Sequence, residues 1–260
     1  MLSPGSKNYS DWRGLTAPPL ISFWACFLRN TIHTIINKRN KHLKGGIPVA
    51  ERKELILKIV GKEFVMFQNV KDMYGRASCQ DNPKTFKIMR TSQFTGWSTG
   101  ALESYLNDLD DAAGSNRNLL AEKYARMMQS TLPLKYFEIK HLLPELDQET
   151  ILLVNKIVAI EVEWQKAAMN KYPDIVGRGR PIYSSQDSST STSMETYIRG
   201  ELLTYSRKTL DLYYQNCLRL KSKGINGAVV TLLAMVKMHG YGTLEEANEK
   251  IRAKSGFGVF

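Results

Sequence analysis

Cysteine and histidine are scarce in this chain of 260 residues: Cys26, Cys79 and Cys217, with four isolated histidines. Three scattered cysteines build no disulfide framework, and without paired CxxC, HExxH or repeated ExxH spacings there is no usual metal constellation. A metal role is not expected. Period-two alternation is also missing, as are the Asn-Gly and Asp-Gly turns that join hairpins. There is no GxGxxG after a strand, no Walker spacing and no GxSxG elbow, so neither a nucleotide nor another cofactor is expected. The apolar run at 20–28 ends at Arg29 and is too short to span a bilayer. No convincing small-residue cleavage site follows it. The expectation is a cytoplasmic protein without a membrane span.

What the chain has in excess is positive charge. Lys and Arg number 36 against 25 Asp and Glu, a net +11. The excess is uneven: +8 over residues 1–62, −2 over 63–150 and +5 over 151–260. A basic end on a near-neutral body suits a polyanion, either nucleic acid or an anionic membrane surface, though solubility alone accounts for net charge about as well.

Helical periodicity runs through almost all of the remainder, so the fold class is all-α: one compact multi-helix domain over 51–260. Residues 1–50 form a separate unit, a Ser/Gly/Pro/Asn-rich arm followed by a basic amphipathic helix. Helices are expected at 51–70, at 85–109 with a break at Gly96 or Gly100, and at 119–128, 151–169, 194–221, 225–239 and 244–254. Asp147 and Thr243 stand where N-caps belong.

Two carboxylates sit inside apolar stripes. Glu63 follows Ile56, Ile59 and Val60 and precedes Phe67; Glu161 follows Val154, Ile157 and Val158 and precedes Trp164. A carboxylate so placed is paired, protonated or facing a cavity. For either one alone, an ion pair to an arginine of another helix is favoured. Their equivalent settings tilt the reading toward a shared cavity for a guanidinium or amine. Two polar knots add candidates. In "GRASCQD", Arg76, Gln80 and Asp81 are placed to close a network over a pocket with Lys84, Arg90 and Gln93. In "STSMETYIRGELLTYSRKTLDLYY", Tyr197, Glu201, Thr204 and Lys208 share one helix side, and Glu195 is placed either for chemistry or for a capping box. Gly200 within that helix marks a close approach by a ligand or another helix.

The motifs "GRASCQD", "TFKIMRTSQF", "NLLAEKYARMM" and "ETYIRGELLTYSRKTLDLY" resemble, over about 55–242, a helical family catalogued as a domain of unknown function. Sequences of this kind are also similar to the fungal arginine-containing cyclodipeptide synthases. That resemblance implies an enzyme that joins arginine from arginyl-tRNA to a second aminoacyl group from another tRNA and closes a diketopiperazine, in secondary metabolism. It implies Glu201 or Glu195 as proton acceptor, Tyr197 as hydroxyl donor, and Glu63, Glu161, Arg76, Gln80, Asp81, Thr204 and Arg199 around the substrate. It also implies Lys38, Arg39, Lys41, Arg178 and Arg180 against tRNA. The residues by themselves leave two alternatives open: a non-catalytic helical RNA-binding or interaction module, and an enzyme acting on a small cationic metabolite without tRNA. Oligomeric state and the identity of the second amino acid are not legible.

Overall fold

The computed structural model describes residues 49–71 and 78–256. Among these, eleven α-helices and no strand are found, so the chain is all-α. They are α1 (Val49–Gln68), α2 (Pro83–Phe94), α3 (Thr99–Gly114), α4 (Leu119–Thr131), α5 (Pro133–Ile139), α6 (Gln148–Lys171), α7 (Pro173–Val176), α8 (Met194–Leu202), α9 (Arg207–Ser222), α10 (Gly227–Met238) and α11 (Leu244–Gly256). The basic helix expected within 1–50 lies outside the described residues.

Local chemistry sets most helix starts. Asn82, Ser98, Asn118, Asp147, Ser193, Ser206 and Asn226 each accept a hydrogen bond from a backbone N–H of the first helical turn, satisfying donors that a helix leaves orphaned. Thr243 does the same for Glu246 N at 3.1 Å.

Two expectations about helix breaks resolve differently. The 85–109 stretch breaks around Gly96, where Arg52 reaches across from α1 to the carbonyls of Thr95 (3.2 Å) and Trp97 (2.5 Å). The single helix expected at 194–221 is instead two, α8 and α9. Thr204 Oγ1 donates to the carbonyl of Glu201 at 2.7 Å, and Ser206 caps the next helix. A hydroxyl competing for backbone groups ends α8 here without Pro or Gly, so no breaker is visible in the sequence. Helix α5 was not expected at all; its Leu134 and Phe137 are exposed, so it shows no buried stripe.

One apolar cluster runs from Ile56 on α1 to Ile251 on α11. The 24-residue α6 packs against α8, α9 and α10, while α1 packs on α3, α4 on α8, and α2 on α10. Gly200 marks the close approach of another helix: a Cβ there would stand 2.8 Å from Met127 Cγ and 3.0 Å from the Lys123 carbonyl of α4. The backbone oxygen cannot move aside cheaply. Gly200→Ala is therefore expected to destabilise the fold by about 1–3 kcal/mol despite its helix propensity, measurable as a lowered denaturation midpoint with unchanged m.

Candidate functional site

The α1–α2 and α4–α8 packing brings four charged side chains into the interior. Glu63 is 0% exposed, Arg90 6%, Lys123 5% and Glu201 4%. Arg90 stands between the two carboxylates. Its Nε donates to Glu63 Oε2 at 2.7 Å and its Nη2 to Glu63 Oε1, while Nη1 and Nη2 reach Glu201 at 3.1 and 2.9 Å. Lys123 Nζ donates to Glu201 Oε2. Neutral groups complete the set: Tyr105 OH donates to Glu63 (2.7 Å), and Tyr205 OH (2.6 Å) and Gln93 Nε2 (2.9 Å) to Glu201. Two carboxylates face two cations, so the cluster is neutral as a unit, with the hydrogen bonds that buried ions require.

Its electrostatics follow from this geometry. Burial by itself raises a carboxyl pKa, yet Arg90 and Lys123 hold Glu201 well below the usual carboxylate range. Burial opposes the charge on Arg90, and Glu201 and Glu63 overcome it, raising its pKa. Tyr105 and Tyr205 are pushed well up, first by burial and then by the carboxylates they face.

Beside the cluster lies a cavity of about 460 Å³, within the range of small-molecule sites; Arg90, Gln93, Glu161, Arg180, Tyr197 and Glu201 supply polar groups to its lining. Glu161 differs from Glu201 in company. Among the described residues, its hydrogen-bond partner is the Tyr213 hydroxyl, and Tyr213 is in turn stacked on Trp97 with centroids 4.3 Å apart. Burial raises the Glu161 pKa to about 7, the Tyr213 hydrogen bond counteracting and Glu201 reinforcing. Tyr197, also on the wall, has Lys123 Nζ 3.5 Å and Arg180 Cζ 4.8 Å from its ring centroid. Among the described residues no hydrogen bond engages its hydroxyl.

Several expected site residues stand elsewhere. Glu63 does not share the cavity with Glu161: the arginine pair takes it, and Arg90 separates it from the lining. Glu201 is on the wall, but a carboxylate accepting from Arg90, Lys123, Gln93 and Tyr205 makes a poor proton acceptor. Glu195 closes no capping box. It is the second residue of α8 rather than the third, and it accepts from Ser184 N at 2.8 Å away from the cavity. Arg199 turns to Asn155 and Glu195. Thr204 spends its hydroxyl on the α8 terminus. Gln80 pins its turn to α1, donating to the carbonyls of Phe67 (2.7 Å) and Val70 (2.9 Å). Asp81 lies in that same turn, off the cavity lining. Arg178 reaches the Ile251 carbonyl of α11, whereas Arg180 faces the cavity and donates to the Thr192 carbonyl at 3.1 Å. Arg76, Lys38, Arg39 and Lys41 lie outside the described residues.

The site also includes Lys123, Tyr205, Tyr213 and Trp97, which reading the sequence did not select. A signal existed for the cations. Arg90 lies four residues from both Phe86 and Phe94, and Lys123 four from both Leu119 and Met127. Each is a cation at the centre of an apolar stripe, the complement of a buried glutamate.

With this geometry in view, comparison with known proteins adds one finding. Residues 53–249 match the family described as "Protein of unknown function (DUF4125)". The chain belongs to that family. No curated protein and no solved structure matches it. Among the described residues, no group of three or more His, Cys, Asp and Glu is placed to hold a metal, and no helix is long and apolar enough to cross a membrane.

Proposed function

We propose that this family member is a tRNA-dependent cyclodipeptide synthase that joins arginine to a second aminoacyl group. The observation that carries the reading is the unequal pair of carboxyls on one cavity wall: Glu201 saturated by cations, Glu161 held by a tyrosine hydroxyl. The second is the group with acceptor capacity to spare, and it replaces Glu201 as the base. Its pKa of about 7 lies near the operating pH, where proton transfer is most effective, and close to that of an α-amine.

In the proposed reaction the α-amine of one aminoacyl ester attacks the carbonyl of the other. A C–N bond forms, the ester C–O bond breaks, and the departing ribose hydroxyl takes a proton. Glu161 accepts the proton the amine loses, and Tyr197 donates a hydrogen bond to the carbonyl oxygen as charge develops on it. The dipeptidyl ester left on the tRNA of the attacking amine then closes on itself by the same chemistry, its free α-amine displacing that tRNA and releasing the diketopiperazine. The ester is already activated, so the reaction needs no ATP.

The test is mass spectrometry of extracts from a heterologous host expressing the full chain. An ion matching a cyclic dipeptide, labelled when arginine is labelled, is expected. Tyr197→Phe should lower its yield about 10²-fold, the usual loss for an oxyanion donor, without changing the melting temperature. Soluble protein with no such ion overturns the reading. A product formed by purified protein despite RNase treatment would instead favour an enzyme acting on a free cationic metabolite.

A further inference from the structure

The cavity is chemically divided along α2. Phe86, Met89, Arg90 and Gln93 all line it, at spacings that keep them on one helix face. Seven residues separate Phe86 from Gln93, a rise of about 10 Å. At the Gln93 end stand the charges, Arg90 and Glu201. At the Phe86 end the lining is mostly apolar, with Thr85 the polar exception. Phe86 lies flat on Phe67, with centroids 5.0 Å apart and planes 18° apart, and Phe64 tilts against it at 5.3 Å. Met89 adds a thioether one turn along. Met235 of α10 also lines the cavity. Nothing in the base chemistry of Glu161 or the hydrogen bonding of Tyr197 uses this end.

We propose that the Phe86–Met89 end is the subsite for the second aminoacyl group, and that this group carries a large apolar side chain, aromatic by preference. The inference rests on the synthase reading and assigns the half of the substrate which that reading leaves open. The physical case is burial. A charged side chain at that end would lose its water and find no opposite charge among the lining residues Phe67, Thr85, Phe86 and Met89. A large apolar one gains from leaving water. Methionine and phenylalanine linings favour aromatic occupants further, because sulfur–aromatic contacts are attractive and the thioether chain adapts its shape.

The experiment reads the identity of the partner residue in the arginine-labelled product, from cells expressing the full chain with all amino acids supplied. Phenylalanine, tyrosine, tryptophan, leucine or methionine is expected. Met89→Trp, which fills the apolar end, should shift the ratio of small (Gly, Ala) to large partners at least tenfold toward the small. Met89→Ala, which enlarges it, should move the product toward tryptophan. An arginine product whose partner is Gly, Ser, Asp, Glu or Lys overturns the inference and leaves the synthase reading standing. So does a partner ratio unmoved by both variants when both melt like the parent. Thermal melts of purified protein with phenylalaninamide and glycinamide separate the other case. Stabilisation by phenylalaninamide alone, lost in Met89→Trp, supports an apolar subsite even if no cyclic dipeptide is ever made. Equal response to the two amides, with no arginine product, overturns both.

Discussion

Arg90→Met is expected to cost about 3–5 kcal/mol of stability, because removing one partner of a buried pair leaves the other charge uncompensated. Here it strands two. Among the described residues, Glu63 loses the bidentate contact from Nε and Nη2 and keeps only the Tyr105 hydroxyl, and Glu201 is left with Lys123 as its cation. For a chain of this size the melting temperature should fall by roughly 6–20 °C. The double variant Glu63→Leu/Arg90→Met should recover part of the loss, because an apolar replacement of the pair removes both the charge and its need for a partner. The measurement is a thermal or urea melt of the parent, Arg90→Met, Glu63→Leu and the double variant. A single variant that melts within a degree of the parent would show that the interior does not depend on this arginine. Acid should probe the same network: the depressed Glu201 pKa stabilises the fold above the ordinary carboxylate value and ceases to do so as pH falls through its lowered one.

Glu161→Gln should separate chemistry from stability. Its effect on the proposed reaction is a loss of about 10²–10⁴ in product, the usual contribution of a positioned proton acceptor. Its effect on the fold has the opposite sign. The Glu161 pKa is raised from 4.5 to about 7. Its contribution is therefore fully present below the ordinary value and is lost as pH rises through the raised one. The parent should lose stability from this residue between roughly pH 4.5 and 7, by about 3 kcal/mol at most on that shift. The glutamine variant, isosteric and uncharged, should lack this component and match or exceed the parent at pH 8. Melts at pH 5, 6.5 and 8 for both proteins, with product yield at pH 7.5, check it. Full yield from a well-folded glutamine variant would remove Glu161 from the proposed chemistry. A parent and variant with parallel pH profiles would mean that the carboxyl is not buried as described.

These two glutamates show how far periodicity reaches. Glu63 and Glu161 have the same sequence surroundings, an apolar stripe before and an aromatic residue after, and both are buried as that pattern requires. The partner differs, and periodicity carries no information about partners. Arg90 lies 27 residues beyond Glu63 and Tyr213 52 beyond Glu161. One glutamate became half of an ion pair behind the cavity, and the other a wall carboxyl able to change charge. Glu195 and Glu201 tell the same story at short range. They are six residues apart on one helix, yet one faces the 184–186 turn and the other the charged cluster.

From its sequence alone, then, this chain is determined to be helical, to start helices at the Asp147 and Thr243 caps, and to bury Glu63, Glu161 and the glycine face at Gly200. All of these depend on neighbours within a turn or two, where the 3.6-residue period and side-chain–backbone hydrogen bonds operate. Only the tertiary structure decided that Arg90 joins Glu63 to Glu201, that Lys123 neutralises the second, and that Glu161 is left with a tyrosine. Those outcomes are set by which helix faces meet across the interior. There the cost of burying a charge is settled by groups far away in the chain.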